Sequence, residues 1–363
     1  MCSSDLIHWI LQNISKRELE KTAPEIRSAL VLGAYQIFYM DRIPDRAAVN
    51  ESVEYVRLRG HANAVKFVNG ILRAIARRAE YFSKPDKDKQ PIEFLSLQYA
   101  HPRWMVERWL KRFNFERLKE LLSTNNQPPP YSIRLNSLKV TNDNVCDFKA
   151  ELLKEDRNQS ERRSLRSCLR LRKAPDFSKD SLFQRGYYTV QDEAAQLVSV
   201  LVDPQPGETI LEACVGPGGK FSHLYELSGG DLNLIGLETN PKQIERAHET
   251  MKRLGHDKYE ILEQDFLKYK SKDKIDRILI DAPCSGFGVL RRHPEGKWHK
   301  SLEIVHKMAK VQRKMIAHGI KLLPKGGELI FSVCSFEPEE TLDHIAWIEK
   351  EYDDKISILS PVN

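Results

Sequence analysis

From Gly186 onward, short apolar runs alternate with longer amphipathic ones, and no other feature of the chain restricts its fold as much. Strand candidates lie at Thr209–Ala213, Leu232–Leu237, Tyr259–Leu262, Ile275–Ile280 and Glu328–Val333. Helical candidates lie between and around them at Asp192–Leu201, Lys220–Leu227, Pro241–Leu254, Leu302–Leu323 and Pro338–Lys350. Parallel strands need a long crossover, usually a helix, so this alternation predicts a parallel, doubly wound α/β sheet. Such sheets bind ligands beyond the carboxyl ends of their strands, where the strand order reverses. The residues with chemistry to offer fall there: Cys214 to Lys220 after the first strand, Glu238 ending the second, Asp265 after the third, Asp281 and Cys284 after the fourth, and Cys334 after the fifth.

The rest of the chain has another pattern. Residues 6–79 read as helical throughout, with Ile26, Leu30, Ala34, Ile37 and Phe38 at helical spacing. Asn50 is placed to cap a helix running to Arg59, Gly60 to stop it, and a further helix runs from Asn63 to about Arg78. Ser83 to Pro91 reads as a linker, Trp104 to Leu122 as one or two helices, and Pro128-Pro129-Pro130 as a second boundary. Residues 131–183 mix short strand-like and helix-like pieces. The expected organisation is a helical domain over 1–82, a linker with connecting helices over 83–130, a small α/β module over 131–185, and the doubly wound domain over 186–363.

Six scattered cysteines, with no C-x-x-C pair and no Cys/His cluster at zinc spacing, predict free thiols in a reducing compartment and no metal. No apolar run approaches a membrane span and the first ten residues lack a targeting pattern, so a cytoplasmic protein without a membrane partner is expected. The net charge of +6 matters less than its distribution. Arg157, Arg162, Arg163, Arg166, Arg170, Arg172 and Lys173 face a single acid, Glu161, and a second cluster comprises Arg291, Arg292, His293, Lys297 and Lys300 around Trp298. Either can be a solvated loop. The second, just past a cysteine motif, favours an anionic substrate.

The loop Cys214-Val215-Gly216-Pro217-Gly218-Gly219-Lys220 follows a strand and opens a helix, so its glycines let backbone N–H groups approach a bound group. It lacks G-x-G-x-x-G, and it fails as a Walker A loop because Cys214 replaces the first glycine and Phe221 the Ser/Thr. Glu238 suits a pair of ribose hydroxyls and Asp265 an adenine amino group, which points to a nucleoside-containing cofactor. A free cysteine is more often a small inert hydrophobe. Cys284 and Cys334, however, sit at the functional edge beside Asp281, Pro283 and Ser335. A thiolate can add to C6 of a pyrimidine and so make C5 nucleophilic, an acid near N3 assists, and a second thiol can help the adduct break down.

The runs Asp281 to Pro294 (DAPCSGFGVLRRHP), Val333-Cys334-Ser335, Val215 to Lys220 and Val190 to Gln196 (VQDEAAQ) resemble the RNA cytosine-5 methyltransferases that use S-adenosylmethionine. Leu32 to Pro44 and Ala48 to Glu51 resemble the NusB-like RNA-binding helical domain carried by the bacterial members that act on small-subunit (16S) ribosomal RNA. The resemblance spans nearly the whole chain. It implies a Rossmann-like methyltransferase domain, preceded by the NusB-like domain and a small RNA-binding α/β module. It makes Cys334 the nucleophile and Cys284 the thiol that helps release product. Cys214, Val215, Gly216, Pro217, Gly218, Gly219, Lys220, Glu238, Asp265 and Asp281 then form the cofactor pocket, with Asp281 also reaching the base. Val215-Gly216 stand where the family shows two alanines, and Glu212 and Glu238 where aspartate is usual, so cofactor affinity is the property these changes touch. Against the family pattern the chain is expected to be truncated at both ends. Two other readings compete: a dehydrogenase-like enzyme, which leaves both cysteines without a role, and an RNA-binding module whose catalytic half is inactive or incomplete.

Overall fold

The computed structural model describes residues 4–15, 18–78, 85–141, 144, 159–162, 165–171 and 173–359. Cys2, Cys146, Ser83, Lys84, Arg157, Arg163 and Arg172 lie outside them. The chain divides into two compact units, Met1–Pro128 with Leu290–Lys300, and Pro129–Val289 with Ser301–Asn363. Among the described residues no helix is long and apolar enough to cross a membrane.

In the first unit, α1 (Ser4–Ile14), α2 (Pro24–Tyr39), α3 (Asp45–Leu58) and α4 (Val65–Arg78) share a core that includes Leu11, Leu30, Ala34, Val56, Leu72 and Ile75. Gly33 sits where helices meet closely, since a Cβ there would lie 2.6 Å from both Ser52 Oγ and a Leu72 methyl. Gly60 follows α3 with φ +84°, as a helix stop requires. Asn50 does not cap that helix. The helix begins five residues earlier, because Pro44 holds the N-cap position at φ −60° and Asp45 places a negative charge on the first turn. Next come α5 (Pro91–Tyr99), which the sequence reading had left unassigned, then α6 (Arg103–Leu110) and α7 (Phe115–Asn125). Pro91 at the first turn opens α5, and the Asn114 side chain caps α7 by accepting from Arg117 N–H at 2.9 Å.

Residues 290–300 complete this unit and correct the reading of the second basic cluster. Lys297 is 1% exposed and donates to Asn126 Oδ1 at 2.6 Å and to the Ala100 carbonyl at 3.3 Å. Arg291 donates to the carbonyls of Gln127 at 3.2 Å and Pro128 at 2.7 Å. Two of the cations therefore hold chain together instead of waiting for phosphate. Burial, helped by Lys297, drives the neighbouring His101 down to about 3.

The second unit carries two sheets. The first is antiparallel in the order β2-β3-β1-β4, from β1 (Tyr131–Leu135), β2 (Gln159–Arg162), β3 (Leu165–Leu171) and β4 (Tyr188–Val190). Its last strand comes from beyond residue 185, in the stretch the sequence reading assigned to the doubly wound domain. The second sheet is parallel throughout in the order β7-β6-β5-β8-β9, from β5 (Thr209–Ala213), β6 (Asn233–Glu238), β7 (Glu260–Glu263), β8 (Arg277–Asp281) and β9 (Glu328–Ser332). Alternate residues feed two cores: Ile210, Leu234 and Leu279 pack on one face with Phe221, Leu224 and Met251, and Leu211, Ile235, Ile278 and Ile280 on the other with Met315. Helices α8 (Glu193–Val202), α9 (Gly219–Leu227), α10 (Pro241–Leu254), α11 (Leu302–Leu322) and α12 (Leu342–Tyr352) complete the unit.

Arg134 of β1 fixes the small sheet to the helix that opens at the glycine loop. Its side chain is wholly buried and donates to both oxygens of Glu226 at 2.7 and 3.1 Å, to Ser222 Oγ at 2.9 Å, to the Gly219 carbonyl at 2.7 Å, and to Gln191 Oε1. Each nitrogen of the guanidinium fork is directed at an acceptor.

Candidate active site

Strand order runs outward from β5 through β6 to β7 on one side and through β8 to β9 on the other, so β5 and β8 flank the switch point. The expected site residues lie along this one edge. Cys214 follows β5 with φ +65°, a left-handed conformation unusual for a residue with a side chain, and Gly216 and Gly218 follow at +56° and +84°. The loop is pinned from the next strand: Cys214 and Val215 N–H both reach the Leu237 carbonyl, and Gly216 N–H donates to Glu238 Oε2 at 2.9 Å. The other Glu238 oxygen accepts from the N–H groups of Thr239 and Asn240. Lys220 Nζ lies 2.6 Å from Asp281 Oδ2, and the Ser332 hydroxyl donates to Asp281 Oδ1 at 2.7 Å. Asp265 caps the turn that follows it through Leu267 N–H at 2.9 Å, and shares the sheet edge with the others without bonding to them.

This edge is rich in negative charge. Burial first, then the charges of Glu238, Asp281, Glu212 and Asp265, push the Cys214 thiol up to about 12, so it keeps its proton. Glu212, inside β5, is 1% exposed and neither of its carboxyl oxygens has a hydrogen-bond partner. Burial, and next the charge of Asp281, hold its carboxyl well above the ordinary 4.5 despite Lys220. A buried acid with nothing to bond, in the strand that leads into a loop edged by carboxylates, suits a ligand that arrives with positive charge. S-adenosylmethionine carries a sulfonium and an ammonium besides its ribose diol and adenine, so the residues present fit it.

The two thiols meet. Cys284 Sγ, in the turn after β8, lies 2.9 Å from Cys334 Sγ, in the turn after β9. Cys334 is exposed, and its carbonyl accepts from Gly288 N–H at 2.9 Å, which ties the two turns together. The hydrogen bond from Cys284 outweighs partial burial and Asp281, bringing Cys334 down to about 7. Cys284, which holds that shared proton and is itself partly buried, moves far upward. Of the two, Cys334, the more exposed, is the thiol whose ionisation the pair favours.

Beneath the thiols lies a set of polar residues that the sequence reading missed. Glu340 is wholly buried, accepts from Ser285 N–H at 2.8 Å and from the Ser285 hydroxyl, and accepts from Gln312 Nε2 at 2.9 Å. Gln312 also donates to the Pro283 carbonyl, and its own carbonyl faces His344 Nε2, both at 2.9 Å. The turn Pro338–Glu340, the long helix α11 and helix α12 supply these groups from positions whose spacing to the cysteines carries no local pattern.

Three family descriptions match successive parts of the chain: the NusB family over residues 3–77, an RsmF/B-like methyltransferase ferredoxin-like domain over 101–178, and 16S rRNA methyltransferase RsmB/F over 199–362. The chain is 32% identical over 342 residues to the probable ribosomal RNA small subunit methyltransferase B of Bacillus subtilis, covering 92% of this chain and 74% of that one. It is 34% identical over 360 residues to the ribosomal RNA small subunit methyltransferase B of Shewanella oneidensis, covering 96% and 80%. A methyltransferase homolog protein from Pyrococcus horikoshii superposes with a TM-score of 0.63 at 24% identity, over 71% of this chain and 82% of that one, a likeness of fold.

Proposed function

We propose that this chain, which belongs to the family of ribosomal RNA small subunit methyltransferase B, methylates C5 of a cytosine in small-subunit (16S) ribosomal RNA through a covalent cysteine adduct. The observation that carries the reading is the pair of thiols 2.9 Å apart, one of them exposed, on the same sheet edge as the carboxylate-lined loop.

A cytosine has to leave its stack to reach such an edge, so the target is unpaired or flipped. Cys334 thiolate would add to C6 and make C5 the nucleophile; S-adenosylmethionine, when bound, would supply the electrophilic methyl group and leave as S-adenosylhomocysteine. Release takes the C5 proton and breaks the C6–S bond, returning Cys334 as thiolate. Cys284 suits that proton transfer for a specific reason. The hydrogen bond to a Cys334 thiolate is the largest cause of its raised pKa, and once Cys334 carries the ring as a thioether that charge is gone. Cys284 can then lose its proton to solvent and, as thiolate, accept the C5 proton. Asp281, whose two oxygens accept from Lys220 and Ser332, is the residue assigned to the ring beside its place in the cofactor pocket. Gly216 to Lys220, Glu238 and Asp265 hold the cofactor, joined by Glu212.

The two cysteine variants should differ in kind. Cys334→Ala should reduce methyl transfer from labelled S-adenosylmethionine to background and yield no covalent RNA complex. Cys284→Ala should still attack and transfer, then stall as a protein–RNA adduct that survives denaturing electrophoresis. An adduct from Cys334→Ala alone would reverse the roles, and activity retained in both without any adduct would defeat the thiol mechanism.

A further inference from the structure

The proposed chemistry needs two thiols to keep one separation through adduct formation and release, yet both sit in turns outside the sheet. The turn bearing Cys284 is held on each side of that residue. Before it, the Pro283 carbonyl accepts from Gln312 Nε2 at 2.9 Å; after it, the N–H and hydroxyl of Ser285 both donate to Glu340. Glu340 lies six residues past Cys334 in the chain, and the Ser285 and Ser335 hydroxyls are 3.2 Å apart. A single buried carboxylate thus spans the two cysteine-bearing turns. Three donors compensate its burial, and Gln312, fixed in turn by His344, holds it from α11. Burial lowers His344 to about 4, so the ring is neutral, and with Gln312 Oε1 as the acceptor its Nε2 carries the proton. What these bonds fix is where Cys284 stands.

We infer that Glu340, acting through Ser285 and with Gln312, is the positioning residue that holds Cys284 against Cys334 and so sets the rate of product release. This rests on the proposed thiol mechanism, but its geometric half can be read without catalysis. Phenylarsine oxide condenses with two neighbouring thiols, forming two As–S bonds and releasing one water, and it has no stable product with a single thiol. In the full chain, Glu340→Ala should lose stoichiometric capture of the arsenical that the parent protein shows, while iodoacetamide still alkylates Cys334. Glu340→Gln, which keeps one acceptor oxygen and the side-chain volume, should retain part of the capture and serves if the alanine variant fails to fold. With RNA and S-adenosylmethionine, both variants should accumulate the covalent adduct, and kcat should fall by up to about 100-fold in Glu340→Ala with little change in cofactor affinity, the scale of loss expected for an ångström of misplacement. Parental capture in a folded Glu340→Ala protein would overturn the inference whatever the adduct shows. Normal adduct turnover in Glu340→Ala beside a stalled Cys284→Ala would also overturn it while sparing the thiol mechanism. Absence of a stalled adduct from Cys284→Ala itself would instead count against the mechanism, with arsenical capture still deciding the geometry.

Discussion

Two charged regions of the second unit, joined by one short helix, are built on opposite plans. At one, Arg134 and Glu226 are 0% and 1% exposed, paired through two hydrogen bonds, and extended by Ser222, Gln191, the Gly219 carbonyl and His256. At the other, Glu212 is equally buried and its carboxyl oxygens have no hydrogen-bond partner, and the charges of Glu238, Asp265 and Asp281 bear on Cys214, next along the edge, with Lys220 paired to Asp281. The first region has its charges settled within the chain. The second leaves a buried carboxyl unbonded beside the carboxylates of the loop edge, and that marks it as the place where a cation-bearing ligand belongs. Arg134 with Glu226 and the lone Glu212 are equally buried, and what separates the structural group from the functional one is whether its hydrogen bonds are satisfied.

The largest expected effect breaks the first region. Arg134→Ala leaves the buried Glu226 carboxylate with His256 as its remaining partner, so denaturant unfolding should show a loss of about 3–5 kcal/mol, the scale for removing one partner of a buried pair. The double replacement Arg134→Met with Glu226→Leu should recover much of it, and a mild effect of Arg134→Ala alone would erase the contrast. A smaller effect sharpens the second region. Because Glu212 has its folded carboxyl raised above 4.5, its contribution to stability is present below that pH and declines as pH rises through the raised value. Glu212→Gln should therefore unfold at higher denaturant than the parent, by a margin that grows from pH 5 to pH 8, while titration calorimetry shows weaker S-adenosylmethionine binding. Equal pH profiles for the two proteins would show that the buried acid carries no such strain. The smallest effect comes from a pair belonging to neither plan. Lys274, exposed beside Asp276, should leave the denaturant midpoint where it stands when replaced by alanine, and a clear shift in the same unfolding series would show that solvated charge matters here too.

The parallel sheet was legible because its strands are buried on both faces and bounded by helical periodicity. Thr209–Ala213 and Pro241–Leu254 have the boundaries expected from sequence, and the other strands differ by one or two residues. Placement of Cys284 and Cys334 on one edge followed from that topology, although their contact did not. What sequence could not supply depends on distant partners. Glu340 is separated from Ser285 by 55 residues and Arg134 from Glu226 by 92, and nothing local distinguishes a buried cation from an exposed one. Lys297 is the instructive case: it stands in a run that reads as a phosphate-binding surface, yet it is packed under the helices of the first unit. Asn50 misled for a related reason, since a good capping residue in mid-helix looks like a start when Pro44 is not read as one.

The return of residues 290–300 to the first unit also sets an order of synthesis. A ribosome delivers Ala100 and Asn126 long before it delivers Lys297, which is 171 residues after Asn126. At about 5–20 residues per second, the nascent N-terminal helices wait for roughly ten to thirty seconds with the polar partners of a buried amine unfilled. The first unit to begin leaving the ribosome is therefore closed only after most of the second has been synthesised, and residues 301–363 of the second follow later still.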